Sequence, residues 1–150
     1  MDARRATTLL HGHQDGLLAH IGGVADLARA PSDDALVRLA RARWEALRLI
    51  RAYQLFKHGE LFDPLIACGT PDQRRLAERM KTRCIESVQR FVDHVTAWNM
   101  ADAATEWDRY RAALTVLVKD MRAEILAERR DAETLLSGVA QIRTAPRAAA

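Results

Sequence analysis

The sequence predicts an all-α protein in which four helices form an up-down-up-down antiparallel bundle. Three observations support this fold class. Ala, Leu, Arg and Glu are abundant, whereas β-branched residues are few, and this composition favours helices. Apolar residues recur at spacings of three and four along four segments. Short polar connections separate these segments, as is usual between antiparallel neighbours in a bundle.

The composition predicts one cytoplasmic domain. Of the 150 residues, 49% are hydrophobic and 29% are charged, which is too apolar for a disordered chain. The 23 basic residues are interspersed with 20 acidic ones, so we expect no nucleic-acid partner. No apolar run approaches the roughly 20 residues of a membrane span, and we expect no membrane partner. Cys68 and Cys84 show no metal-type or redox-type spacing and predict no disulfide framework.

The first two helices are predicted from their apolar stripes and their flanking residues. Helix one is expected from about Ala3 to Arg29, although four glycines weaken it. Helix two is expected to begin after Ser32, a good N-cap, and to end near Pro64. The stripe of helix one contains Leu10, Leu17, Ile21 and Val24, beside His13 and His20. The stripe of helix two contains Leu36, Ala40, Trp44, Leu47, Ile50, Leu61 and Leu65.

The third and fourth helices have clearer boundaries. Thr70 and Gln73 predict a capping box with Pro71 in the first turn, and the fourth helix is expected to end at Ser137 and Gly138. The bundle therefore covers 1–138, and 139–150 is predicted to be a flexible tail. The third stripe contains Leu76, Met80, Cys84, Val88, Phe91, Val95 and Trp98. The fourth contains Trp107, Tyr110, Leu114, Leu117, Met121, Glu124, Glu128 and Leu135.

Polar residues that interrupt these stripes are the candidate functional residues. Gln54 and His58 lie four residues apart in helix two, and Glu124 and Glu128 lie four apart in helix four. Residues at this spacing share one face, so each pair can address one centre inside the bundle. Burial would require these groups to be paired, hydrogen-bonded or bound to metal. Simpler interpretations remain open: a half-exposed His58, glutamates paired with arginines, and Cys84 as a small buried hydrophobe.

The segment from His58 to Leu65, with its Leu-Phe-x-Pro ending, resembles the second helix of hemerythrin-like (HHE cation-binding) domains. The resemblance spans roughly residues 8 to 136 and implies a four-helix bundle in which each hairpin supplies one lone His and a His-x-x-x-Glu pair. By position, His13 matches a lone His and Glu128 matches a carboxylate. The other four positions of the pattern differ and carry Gln54, His58, Cys84 and Glu124.

Two functions follow from this comparison, and neither is enzymatic. In the first, His13, His58, Glu124 and Glu128 form an altered site that binds or senses a metal ion, of the non-haem iron type, or a small ligand. Imidazole and carboxylate suit iron, manganese or zinc, and we expect one ion or none. In the second, the bundle is metal-free and is a protein-interaction or regulatory module, with a protein partner or a homodimer left open.

Overall fold

A computed structural model of the chain describes residues 1–143 and confirms the all-α prediction. Helices contain 87% of these residues, and no strand forms among them. Asp2 and Gln141 make an isolated antiparallel bridge that joins the two ends of the described chain. Within the same residues, no helix is both long enough and apolar enough to cross a membrane.

Four long helical segments and two short helices make up the fold. The helices are α1 (Ala3–Leu27), α2 (Asp33–Phe56), α3 (Asp63–Cys68), α4 (Pro71–Ala97), α5 (Met100–Thr105) and α6 (Trp107–Leu136). A π-helical segment, Lys57–Phe62, joins α2 to α3 without a break. Helix α1 packs against α2 and α6, and α4 packs against α3 and α6.

The helix starts follow the predicted capping residues. The Ser32 side chain accepts a hydrogen bond from the backbone N–H of Ala35. Thr70 and Gln73 form the predicted capping box, which satisfies two otherwise unpaired N–H groups. Asp2 caps α1 by accepting from the Arg5 N–H. Helix α1 is continuous despite its glycines, because tertiary packing outweighs their low helix propensity.

The predicted end of helix two near Pro64 is wrong. The chain stays helical to Cys68, and Pro64 lies in the first turn of α3. The π-helical turn explains how this is accommodated, since Asp63 donates its backbone N–H to the carbonyl of His58, five residues earlier. Single π-helical turns inside helices are rare and are frequent at functional sites.

One aromatic residue assigned to the core lies outside it. Trp44 is 75% exposed, although its position on the predicted stripe of helix two placed it inside. Trp98, in contrast, is buried and packs edge-on against Tyr110, with ring centroids 5.5 Å apart. Trp107 lies partly buried beside the same Tyr110 ring. The packing prediction therefore holds for two of the three tryptophans.

Residues that pack on the core continue beyond residue 138, the predicted end of the bundle. Ile142 is buried in the core, and its backbone N–H donates to the carbonyl of Met1 over 2.9 Å. Val139 is partly buried against the same core. The remainder of the predicted tail, residues 144–150, lies outside the described residues.

Candidate functional site

A polar cluster lies in the interior where α1, the end of α2 and α6 meet. Gln14 and Lys57 are the polar residues that are fully buried in the described part of the chain, with 0% and 5% exposed. Gln14 lies between Leu10 and Leu17 on the inner face of α1. Lys57 is the first residue of the π-helical segment. Buried groups of this kind require partners, and both have them.

Glu128 of α6 is the centre of this cluster. Its Oε2 accepts a hydrogen bond from Lys57 Nζ over 2.8 Å, and its Oε1 accepts one from the Tyr53 hydroxyl. Lys57 Nζ also lies 3.9 Å from the centroid of the Tyr53 ring, in a cation–π arrangement. The ammonium and the carboxylate therefore neutralise each other inside the bundle.

Hydrogen bonds extend the cluster to the surface of α1. Gln14 donates through Nε2 to the Tyr53 hydroxyl and accepts through Oε1 from Arg129 Nε, each over 2.9 Å. Arg129 in turn donates to Asp15 over 2.6 Å. Three helices are thus tied together by side chains whose hydrogen-bonding groups satisfy one another.

Burial sets the protonation states around this cluster. Burial, together with the negative charge of Glu128, raises the pKa of the Tyr53 hydroxyl well above its usual value, so this hydroxyl remains a donor. Burial also raises the pKa of the Cys84 thiol, against the opposing effect of Lys57. It lowers the pKa of His13, and Lys57 lowers it further. The site therefore contains a neutral imidazole, a neutral thiol and one compensated ion pair at pH 7.

A cavity of about 240 Å³ borders the ion pair between α2, α4 and α6. Buried Tyr53, Lys57 and Cys84 lie at its inner end, and exposed Arg83 and Arg90 lie at its outer end. Much of its wall is apolar and comes from Leu17, Ile50, Met80, Val88, Met121 and Ile125. An apolar cavity with a few polar groups is the usual form of a small-molecule site.

The two predicted glutamates both line this cavity, but each has a basic partner. Glu128 is occupied by Lys57 and Tyr53, as described above. Glu124 lies at the edge of the stripe, with 39% of its side chain exposed, and pairs with Arg90 of α4. The simpler interpretation of this pair, in which glutamates meet basic residues of neighbouring helices, agrees with these contacts.

The predicted histidines pack against aromatic rings. The ring of His13 packs against Tyr53 and Phe56, with centroids 5.6 and 5.1 Å away. His58 packs against Phe62, and its Nε2 is buried without a hydrogen-bond partner in residues 1–143. Burial and then Lys81 lower the pKa of His58. Neither imidazole makes a hydrogen bond to Glu124 or Glu128 in the described residues.

The arrangement does not fit the metal centre that the hemerythrin resemblance implies. Among residues 1–143, no group of three or more His, Cys, Asp and Glu side chains is arranged to hold a metal ion. The carboxylate of Glu128, which is the best match to the pattern, already neutralises an ammonium. Of the four predicted ligands, Glu128 belongs to the ion pair and Glu124 pairs with Arg90, so the predicted set does not form a metal-binding group in the described residues.

The sequence pattern missed Tyr53 and Lys57 because the inner face at the end of α2 is displaced by one residue from the predicted stripe. The buried positions near the end of this helix are 50, 53, 57 and 61, whereas the prediction placed 54 and 58 inside. Gln54 and His58 are only partly buried. A signal for Gln14 was present, since it continues the stripe from Leu10 to Leu17 at spacings of four and three.

Comparison of the chain with protein-family models, with curated proteins and with solved structures gave no match. The resemblance to hemerythrin-like domains therefore stays a prediction from the sequence pattern.

Proposed function

We propose that the protein is a non-enzymatic, hemerythrin-like four-helix bundle in which an ion pair replaces the metal centre. The antiparallel order α1, α2–α3, α4, α6 is supported by the packing of α1 on α2 and α6 and of α4 on α3 and α6. The ammonium of Lys57 supplies the positive charge that the Glu128 carboxylate would otherwise take from a metal ion. Interior carboxylates need such compensation.

The function we infer for this bundle is the binding of a small ligand in the cavity beside the ion pair. The observation that carries this inference is the 240 Å³ space, whose lining combines apolar side chains with polar ones, six of them charged. An engineered apolar cavity of about 150 Å³ holds benzene, so this cavity accommodates a ligand of roughly ten non-hydrogen atoms. Two methionines in the wall, Met80 and Met121, can adapt to ligand shape.

The charges around the cavity favour an uncharged ligand. Lys57 is neutralised by Glu128, Arg90 by Glu124, and Arg83 by Asp131. The remaining charged residue of the lining, Glu86, makes no ion pair within residues 1–143 but is exposed. A charged ligand in the buried part of the cavity would therefore have to break one of the three pairs or remain uncompensated, which is costly. An uncharged ligand leaves all three pairs intact.

One hydrogen-bonding group on the ligand would complete the interaction. The side chains of Gln54 and Ser87 line the cavity, and neither makes a hydrogen bond to the residues that the structure describes. An alcohol or an N–H group can pair with either of them. We therefore expect the ligand to be an apolar molecule with a single uncharged polar group.

Binding of matched probes tests this function. The probes are 1-octanol, octanoate and octylamine, which share a chain length and differ in charge, with indole as an uncharged N–H donor. We expect saturable binding of 1-octanol and indole by calorimetry and an increase in the melting temperature with probe concentration. Tighter binding of octanoate or octylamine than of 1-octanol would show that the inferred ligand charge is wrong.

A filled cavity provides the matched control. Ala127 lines the cavity, whereas Ala123, one helical turn earlier in α6, is exposed and lies outside the lining. Ala127→Leu should remove binding of 1-octanol and indole, and Ala123→Leu should leave it unchanged. Equal binding by both variants would place the probes elsewhere on the protein.

Metal analysis separates this function from the metal-binding hypothesis. We expect protein purified without a His-tag to retain no stoichiometric iron, manganese or zinc after loading and desalting. Retention of one ion per chain by the wild type, with loss in His58→Ala and Glu128→Gln, would overturn the proposal that an ion pair replaces the metal.

A further inference from the structure

The outer face of α2 carries apolar and basic side chains that no other part of the described chain covers. Trp44 and Leu55 are 75% and 74% exposed, and Val37 is 53% exposed. At 100° per residue, these three positions and three of the intervening arginines fall within about 80° of one another around the helix. These arginines are Arg41, Arg48 and Arg51. We call this stripe the α2 ridge.

The ridge is unusual because its large apolar residues form a row. Single exposed apolar residues are ordinary on a protein surface, whereas several large ones aligned on one helix face are typical of an interaction site. Trp and Arg are the residue types that contribute most at the centres of protein interfaces. Arg41 and Arg51 make no ion pair with any residue in 1–143, and they are therefore available to an external partner.

The neighbouring helix α1 presents the opposite kind of surface. Gly12, Gly16, Ala19 and Gly23 are all exposed and fall within about 60° around this helix. A Cβ atom added at any of the three glycines would meet nothing within 4 Å. The outer face of α1 is therefore a shallow depression beside the α2 ridge. We call it the α1 groove.

Acidic residues line the edge of the α1 groove that is remote from α2. Asp15 and Asp26 are exposed and lie on one side of the groove, with side chains 68% and 67% accessible. Asp15 pairs with Arg129 of α6, and Asp26 pairs with Arg29 just after α1, but exposed ion pairs of this kind are weak and can exchange partners. On the other side of α1, His20 contacts the backbone of Ala42 in α2. The surface therefore carries acidic and small side chains on α1 and basic and aromatic side chains on α2.

We propose that this surface is a homodimer interface in which the α2 ridge of each copy lies in the α1 groove of the other. A two-fold axis between α1 and α2 places the α2 ridge of the first copy in the α1 groove of the second, and the α2 ridge of the second copy in the α1 groove of the first. This is the self-complementary arrangement of a C2 dimer. The same operation brings Arg41 and Arg51 of each copy toward Asp15 and Asp26 of the other. Shape and charge thus select a second copy of this chain as the partner.

The size of the surface predicts a weak dimer. The ridge from Val37 to Leu55 is about 27 Å long at 1.5 Å per residue, and two adjacent helices are about 20 Å wide. Each copy then buries about 500 Å², near the lower limit for a specific complex. We expect a dissociation constant in the micromolar range and a monomer–dimer equilibrium that depends on concentration.

Sedimentation equilibrium of the full chain between low-micromolar and high-micromolar concentrations tests the proposal. We expect the apparent mass to rise from 16.8 kDa toward twice this value. Trp44→Glu should raise the dissociation constant at least thirtyfold, as expected for about 2 kcal/mol at a central Trp. Val116→Glu, at an exposed apolar position of α6, is the matched control and should leave the dissociation constant unchanged.

Charge reversal tests which surfaces meet. One variant carries Arg41→Glu and Arg51→Glu, and the other carries Asp15→Arg and Asp26→Arg. Each variant alone places like charges across both halves of the interface and should be monomeric. An equimolar mixture of the two restores opposite charges in both halves and should form a heterodimer. Circular dichroism of each variant verifies that it is folded.

Three results would overturn the proposal. The first is a wild type that stays monomeric at high-micromolar concentration. The second is a contact that lies on other surfaces. It would be shown by a dimer that Trp44→Glu does not weaken, or by charge-reversal variants that stay monomeric when they are mixed. The third is a monomer that binds phosphatidylserine vesicles through Trp44, which would identify the ridge as a membrane contact. None of these results depends on binding in the cavity.

Discussion

The ammonium of Lys57 and the carboxylate of Glu128 form an ion pair at 2.8 Å, although 71 residues separate them in the sequence. Lys57 comes from the π-helical segment after α2, and Glu128 comes from α6. Their side chains are only 7% and 15% exposed. The pair joins the two halves of the chain in the interior, and it borders the cavity for which we propose ligand binding.

Removing one member of this pair should destabilise the protein more than removing both. Lys57→Met leaves a buried carboxylate without its cation, and we expect the free energy of unfolding to fall by about 3 kcal/mol. In Lys57→Met/Glu128→Gln the interior is uncharged and Gln still offers Tyr53 an acceptor, so about 1 kcal/mol or less should be lost. Urea denaturation of both variants checks this. A double variant less stable than Lys57→Met would contradict the coupling.

Mild acid should destabilise the protein through its partly buried histidines. Burial lowers the pKa of His13, His58 and His94 from 6.5, so the unfolded chain binds more protons than the folded chain below this value. The contribution of these groups to stability is therefore present above pH 6.5 and is lost as the pH falls from this value through the lower pKa values of the folded protein. Most carboxylates titrate at lower pH.

Urea midpoints measured at pH 7.5 and pH 5.5 check this pH dependence. We expect a lower midpoint at pH 5.5 for the wild type. His13→Phe keeps an aromatic ring against Tyr53 and Phe56 but removes the titrating group, so its midpoint should fall less over the same interval. An equal or larger fall in His13→Phe would exclude His13 as a source of the effect.

The two cysteines should differ sharply in reactivity. Cys68 is exposed, whereas Cys84 is buried, and burial raises the pKa of the Cys84 thiol. Because the thiolate is the reactive form, iodoacetamide should modify the native protein once, at Cys68, and modify it twice in urea. Intact-mass measurements count the adducts. Native Cys68→Ser should therefore remain unmodified, and rapid labelling of this variant would show that the interior around Cys84 opens readily.

Glycines in two environments should respond oppositely to alanine. Gly22 lies inside α1 with open space around its added Cβ, so Gly22→Ala should stabilise the protein by about 1 kcal/mol. At Gly69, which follows α3, the added Cβ would lie 2.4 Å from the backbone oxygen of Leu65. Gly69→Ala should therefore cost about 1–3 kcal/mol. Thermal unfolding compares the two, and a stabilised Gly69→Ala would contradict the close approach.

Local sequence determined the helices and where most of them begin. Apolar spacing is repeated many times along each helix, so the helical assignment does not depend on any one residue. Ser32 and the Thr70–Gln73 box mark helix starts because a cap is a contact between residues three apart, which the sequence displays directly. The buried positions of α4, which include Met80, Cys84 and Phe91, follow the predicted stripe.

Only the tertiary structure decided which polar groups enter the core and which partners they meet. Spacings of three and four approximate a period of 3.6, so neighbouring residues can both fit one stripe although they point about 100° apart. Tyr53 and Lys57 therefore took the inner positions predicted for Gln54 and His58, and Trp44 faced outward. The pairing of Lys57 with Glu128 depends on how α2 and α6 pack, and no local pattern contains that information.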